Sequence, residues 1–312
     1  MNSINITVFT PTWNREYTLP KVYDCLKRQT IKNFEWVIVD DGSTDGTQDM
    51  IQAWINGGGT EFPIRLITQQ NSGKHVAQNR ALEIAEGELF LPLDSDDTIV
   101  ENALEILWRE WKNIPGDERK KYSGIGVHCM DGEGNRIGTP WPNEACVSND
   151  LEITFKYRVI GEKWGPIRTD IMKKYKNPEV KGHYLSESTV WYRIAKEYQK
   201  LYIDEKLRYY EIGNDSVQKK KHFADNANAE SKMCSSLIYI NEFWDWYRKY
   251  NIKGGIVQAL IGTKAAVESG SKVILGKNSY FHQVSPLIAK VAVLVASPYK
   301  LVYMLRKQEY HS

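Results

Sequence analysis

The chain has 312 residues, of which 42% are hydrophobic, 26% charged and 12% aromatic; 41 Lys and Arg face 39 Asp and Glu, a formal charge of +2. This composition excludes disorder, collagen and coiled coil, and a length near twice the common domain size of about 150 residues allows a large core in one or two units. The near-neutral balance excludes a protein whose main work is non-specific binding to nucleic acid, which requires a strongly basic surface, so no nucleic-acid partner is expected.

From Met1 the chain runs straight into an apolar, strand-like segment, without the basic n-region and apolar h-region of a secretion signal. No stretch reaches 18 uninterrupted apolar residues, and Cys25, Cys129, Cys146 and Cys234 show no CxxC or metal-type spacing. A cytoplasmic chain with free thiols is expected. Short β-rich runs at Ile4–Phe9, Phe34–Val39, Ile64–Thr68, Leu89–Leu93 and Gly124–Cys129 alternate with helix patterns at Leu19–Gln29, Thr47–Trp54, Lys74–Ala85 and Glu101–Trp111. That alternation predicts βαβ units and a mainly parallel sheet. Beyond the turn cluster Asp131–Asn135 the regularity fades, leaving a helix-like Ser188–Gln199 and a strand-like Lys206–Glu211. From about Asn226 the pattern is helical, and Ser285-Pro286 and Ser297-Pro298 each fit an N-cap followed by a first helical residue. They divide the apolar C-terminus into two helices too short to cross a bilayer.

Three polar clusters, Thr10–Glu16, Asp40–Gly46 and Asp94–Asp97, follow the carboxyl ends of predicted strands, where open α/β sheets bind ligands. Asp94, Asp96 and Asp97 place three carboxylates in four positions, a costly cluster unless a positive group neutralises it. Mg²⁺ or Mn²⁺, held by one or two carboxylates and completed by substrate phosphates, meets that need; so does a solvated loop with helix-capping Asp. Asp41 can accept hydrogen bonds from a base edge or ribose, and Trp13 and Arg15 offer a ring and a guanidinium suited to a nucleobase and a phosphate. Lys74 opens a helix whose N-terminal amides favour an anion, but the Gly-x4-Gly-Lys-Ser/Thr spacing of a Walker A loop is missing, and no GxGxxG follows the first strand.

Thr10-Pro11-Thr12-Trp13-Asn14-Arg15, Val39-Asp40-Asp41-Gly42-Ser43-Thr44-Asp45, Asn71-Ser72-Gly73-Lys74-His75 with Asn79, and Leu93-Asp94-Ser95-Asp96-Asp97, in this order, resemble the family 2 glycosyltransferases. The resemblance covers roughly residues 4 to 215. It implies a GT-A type fold, an α/β sheet, mainly parallel, flanked by helices, over residues 1–225, with a nucleotide-binding half at about 1–130 and an acceptor half at about 131–225. Residues 226–312 then form a helical C-terminal extension. The resemblance further implies that Pro11, Thr12 and Asp41 hold the nucleobase, with Asn14 in the same nucleotide-sugar site and Arg15 and Lys74 near the ribose or phosphates. Asp94 would contact ribose or metal, Asp96 would be the principal metal ligand and Asp97 would lie close to the donor sugar, with the register of the DxDD run open by one residue. Family members invert the anomeric centre of a nucleotide-sugar, commonly a UDP-sugar, and a carboxylate takes the acceptor proton.

The family commonly has Glu-Asp before a Trp-x-Arg-Leu-like stretch. Here Leu185-Ser186-Glu187 precedes Trp191-Tyr192-Arg193-Ile194, which puts Glu187 at the base position and Ser186 where an acid is common. Ser186 as helix N-cap with Glu187 in the first turn explains the pair structurally as well. Trp164 is either a stacking wall for a sugar ring or a core residue. His222, after Lys219-Lys220-Lys221, is a third metal ligand, part of a lid, or a surface loop, and His75 and His183 read as structural or supporting. From Asn226 to Ser312 eleven Lys and Arg face five Asp and Glu, a net +6 that leaves −4 on the residues before. Basic and apolar together, this end suits an anionic membrane surface, or packing against the catalytic domain or a dimer partner. The resulting expectation is a metal-dependent inverting glycosyltransferase, peripheral at the inner face of the cell membrane, acting on a glycan or lipid-linked acceptor in surface polysaccharide synthesis. Competing readings are a non-catalytic glycan-binding or assembly subunit and a nucleotidyltransferase.

Overall fold

The computed structural model describes residues 4–180, 185–210, 228–274 and 276–296. The chain divides into two compact units: Met1–Pro178 with Val190–Ser216, and Glu179–Thr189 with Val217–Ser312. His183, His222 and the Ser297-Pro298 helix start lie outside the described residues.

The first unit begins with β1 (Ile6–Thr12), α1 (Leu19–Lys27), β2 (Phe34–Asp40), α2 (Thr47–Gly57), β3 (Ile64–Thr68), α3 (Lys74–Ile84) and β4 (Leu89–Pro92). After β4 come β5 (Thr98–Ile99), α4 (Ala103–Asn113), α5 (Gly116–Arg119), β6 (Tyr122–Met130), β7 (Ala145–Ser148), a π-helical turn at Glu152–Lys156, β8 (Lys163–Trp164), β9 (Ile167–Arg168) and α6 (Thr169–Lys174). Beyond the described gap, α7 (Ser188–Ile194) crosses from one unit to the other and β10 (Gln199–Tyr209) closes the first.

One sheet holds all the strands in the order β3-β2-β1-β4-β9-β6-β10-β5, with β7 on β10 and β8 on β6. The pairings of β1 with β2 and β4, β2 with β3, and β6 with β10 are parallel; the antiparallel ones are four residues or shorter. Because β9 runs antiparallel to both β4 and β6, the strands β1, β2, β3, β4, β6 and β10 all point the same way. The sheet is mainly parallel, as the alternation predicts. Strands buried on both faces read as apolar runs, and β2 is buried at every position. On one face lies a core with Leu19, Val22 and Leu26 of α1 and Leu104, Leu107 and Trp111 of α4; on the other, a core with Ala77 and Ala81 of α3, Ile171 of α6 and Val190 and Ile194 of α7.

Two elements differ from the pattern. β1 stays in register with β2 through Thr12↔Asp40, so Pro11 and Thr12 end a strand rather than start a loop. α7 stops at Ile194 and β10 starts at Gln199 rather than Lys206; shifts of register at Gln199/Lys200, Tyr202/Lys206 and Lys206/Arg208 break the alternation by which a strand is recognised.

The second unit contains α8 (Ala229–Tyr250), α9 (Ile252–Glu268), α10 (Tyr280–Gln283) and α11 (Leu287–Ala296). Asn251 turns the chain between the two long helices, its side chain accepting a hydrogen bond from Gly254 N at 3.0 Å. Gly262 lets them approach, since a Cβ there would collide with Tyr280 and Ser236. No helix among the described residues is long and apolar enough to cross a membrane.

Candidate nucleotide-sugar site

The strand order reverses at β1: β2 and β3 lie to one side and β4 to the other. That switch point opens a crevice beyond the strand ends. Asp41, buried just after β2, braces the cleft: Oδ1 accepts from Gln69 Nε2 and Ser72 N, both at 2.7 Å, and Oδ2 from Gly73 N at 2.8 Å. It thereby fixes the loop that delivers Lys74. Gly42 has φ +79°, and a Cβ there would lie 3.1 Å from Asn71 N, so only glycine allows this closeness. Asp40 holds the other side of the turn through Ser43 N at 3.0 Å and Gln48 Nε2 at 2.5 Å. Asn14, in the left-handed region at φ +52°, accepts from Thr44 N at 2.7 Å and donates its own N–H to Ser43 Oγ at 2.8 Å. The loops after β1 and β2 are thus one assembly. Thr12 ends β1 with a buried hydroxyl that has no partner among the described residues, Pro11 beside it is partly exposed, and Trp13 is 52% exposed.

The loop after β4 is built differently. Asp94 lies between Lys74 Nζ, 2.5 Å from Oδ1, and Arg208 Nη2, 2.8 Å from Oδ2. Asp97 is buried and accepts from Arg208 Nε at 2.8 Å and also from Nη2. β5 places Arg208 there: Ile99, two residues past Asp97, pairs with Arg208 of β10. Burial alone would raise the Asp94 pKa, but the charges of Lys74 and Arg208 prevail and hold it well below the carboxylate range. Asp96 differs: burial, then the Asp94 charge, raise its pKa, with Arg15 pulling the other way. It has no ion pair and no hydrogen bond from another residue among the described residues.

The sequence reading missed Arg208. Its one signal was a charged residue inside a strand-like run. It also credited a metal with neutralising all three carboxylates, whereas Lys74 and Arg208 already do so for Asp94 and Asp97. Among the described residues no group of three His, Cys, Asp or Glu is placed to hold a metal. The residues fit Mg²⁺ or Mn²⁺ in the form that needs one or two carboxylates and substrate phosphates: Asp96 is open, and its raised pKa marks a place where added positive charge is favourable.

Trp164 is a correction to the stacking wall. It is buried in the core, and its indole N–H donates to Pro92 O at 2.5 Å, bracing the strand end that carries Asp94. Pro11, Thr12, Asn14, Arg15, Asp41, Lys74, Asp94, Asp96, Asp97 and Trp164 all belong to the first unit. Glu187 belongs by its contacts to the second, directly before α7, where Ser186 O accepts from Thr189 N and the Ser186 hydroxyl pairs with Tyr239 at 2.5 Å.

Residues 7–130 match the model of Glycosyl transferase family 2. A Campylobacter jejuni relative, described as GalNAc(5)-diNAcBac-PP-undecaprenol beta-1,3-glucosyltransferase, is 26% identical over 219 residues, 68% of this chain and 66% of its own. The chain covers 36% to 66% of the length of the first two curated relatives it matches. Among solved structures, S. aureus TarS 1-349 in complex with UDP-GlcNAc is 19% identical with a TM-score of 0.55, covering 98% of this chain and 92% of that one. The mannosyltransferase PcManGT from Pyrobaculum calidifontis, in complex with GDP-Man and Mn2+, is 16% identical with a TM-score of 0.55, covering 96% and 87%. The strand-end loops fall inside the matched segment, which is similar to glycosyltransferase family 2, and the sheet that carries them has the GT-A architecture.

Proposed function

We propose that the chain is an inverting glycosyltransferase that moves a sugar from a nucleotide-sugar, a UDP-sugar in the first instance, to a hydroxyl of a glycan or lipid-linked glycan in polysaccharide synthesis. The observation that carries this reading is the open Asp96 carboxylate among paired charges at the switch point, with Lys74 at a helix N-terminus and the Arg15 charge acting on Asp96. Relatives support the donor and acceptor classes: TarS was solved with UDP-GlcNAc, and the Campylobacter enzyme is named for an undecaprenol-linked acceptor.

In the proposed reaction the acceptor oxygen forms a bond to the anomeric carbon as the bond to the diphosphate oxygen breaks, and Glu187 takes the hydroxyl proton. Thr12 and Asp41 line the base end, with Pro11 and Asn14 shaping it, and Arg15 and Lys74 meet the phosphates. Asp96, with Asp94, would hold Mg²⁺ or Mn²⁺, which supplies positive charge for the departing nucleoside diphosphate. Asp97 keeps the loop in place for the donor sugar.

The test is a panel of nucleotide-sugars scored by thermal shift with and without Mn²⁺, followed by acceptor-dependent release of nucleoside diphosphate. A stabilising donor and release that requires acceptor are expected. A protein that binds no nucleotide-sugar in either condition overturns the reading.

We propose further that the second unit lies against an anionic membrane surface. In α11, Leu287, Ile288, Val291 and Val295 are 48% to 76% exposed, and from Ile252 to Ala296 five Lys face one Glu. Like charges oppose a second copy at this face. Sedimentation with anionic but not zwitterionic vesicles is expected, and equal recovery with both would remove the electrostatic role.

A further inference from the structure

We infer that Arg208 and Lys74 divide the neutralisation of the acid loop: Arg208 is a fixed internal counter-ion that positions Asp94 and Asp97, while Lys74 is exchangeable and leaves Asp94 for the diphosphate of an entering nucleotide. This rests on the nucleotide-sugar reading above. The two cations differ in burial, geometry and attachment. The Arg208 side chain is 8% exposed, and its planar guanidinium bridges two carboxylates through Nε and Nη2. It projects from a strand locked between β6 and β5. Lys74 is 33% exposed, on a flexible stem, and opens an 11-residue helix, the end at which the helix dipole favours an anion.

When Lys74 turns to a phosphate, Asp94 keeps Arg208 on its other oxygen at 2.8 Å. No buried carboxylate is left uncompensated, which would otherwise oppose the exchange. Without Arg208, Lys74 would be held by Asp94, and Asp97 would lose the guanidinium that contacts it. Arg208 is therefore a positioning residue: its fork fixes two carboxylates and leaves Asp96 open.

The experiment is calorimetric titration of the full chain with UDP, and with GDP as second probe, with and without Mn²⁺, for wild type, Lys74→Gln, Arg208→Lys and Arg208→Gln, beside thermal denaturation. Lys74→Gln is expected to weaken nucleotide binding about tenfold in both conditions, as loss of one charge-assisted contact does, with a smaller fall in melting temperature than Arg208→Gln, because Asp94 keeps Arg208. Arg208→Gln is expected to lose at least about tenfold without metal, recover most of it in saturating Mn²⁺, and reach half-saturation at lower Mn²⁺, because the loop has gained negative charge. Arg208→Lys, which keeps the charge but loses the fork, is expected to fall between. Should Arg208→Gln fail to fold, Arg208→Gln with Asp97→Asn removes the buried carboxylate that Arg208 contacts, and the same metal dependence is expected. Losses in Arg208→Gln or the double variant that are equal with and without Mn²⁺, or binding like wild type, overturn the assignment. A wild-type chain that binds neither nucleotide overturns the nucleotide-sugar reading itself, and this assignment with it.

Discussion

The loops after β2 and β4 both begin with carboxylates at a strand end, yet they satisfy them by opposite means. Asp40 and Asp41 accept hydrogen bonds from backbone amides and from the side chains of Gln48 and Gln69, all neutral donors. Asp94 and Asp97 are matched by whole charges from α3 and β10, and Asp96 is left over. Neutral donors arranged around a carboxylate fix a backbone; fixed charges with one carboxylate unmatched create a local potential that a ligand can complete. The first loop gives the cleft its shape and the second its chemistry.

This contrast breaks most sharply at Asp96. Asp96→Asn is expected to cut transfer by about a thousandfold or more, the scale of a lost electrostatic contribution to a transition state, while leaving the melting temperature equal or higher. Its raised pKa means that ionisation opposes folding, so removing the charge relieves the fold. Kinetics and denaturation on the same preparation check both halves; a large stability loss would make Asp96 another brace. Glu187→Gln is expected to cost about a hundredfold to ten-thousandfold in transfer, the range for a general base, with donor binding retained. Donor titration beside the turnover assay separates that outcome from a misfolded helix start.

Much of this contrast was legible in the sequence, because strands buried on both faces and amphipathic helices leave clear periods, and the loops between them stood at strand ends. What stayed hidden depends on register. Arg208 lies 111 residues from Asp97 in a strand whose bulges break the alternating pattern, and only its pairing with Ile99 brings it to the acid loop. Trp164 was ambiguous for a related reason: a short strand pairing with Val127 puts its ring inside, and local composition does not carry that information. Lys74 was visible as a cation for phosphate but not as the partner of Asp94, since a three-dimensional turn braced by Asp41 aims it there.

Asp41→Asn tests the other side of the comparison. One carboxylate oxygen becomes an NH₂ facing the Gly73 N–H, so a buried bond becomes a donor opposed to a donor, at a cost of about 3 kcal/mol. A fall in melting temperature, where Asp96→Asn shows none, is expected with some transfer retained. The reverse order would erase the distinction between brace and chemistry.

The smallest effect concerns another carboxylate, Asp204, which Arg136 pairs at 2.9 Å while His128 Nε2 lies 3.1 Å away. Burial and then the Arg136 charge push the His128 pKa down to about 4, against the pull of Asp204, and the ring stacks on Trp141 with centroids 4.1 Å apart. The folded pKa is below the unfolded value of about 6.5, so the unfolded chain takes up the proton first. Stability is therefore full above pH 6.5 and declines as pH falls through 4, by about 2 kcal/mol at pH 5. Asp94, held low by two cations, stays ionised across this window. In an Asp96→Asn background, which removes the raised carboxyl, His128→Phe preserves the stack and is expected to flatten the fall in melting temperature between pH 7 and 5. Parallel curves with and without His128 would assign the acid sensitivity to another group and leave the His128–Asp204 contact without a role in it.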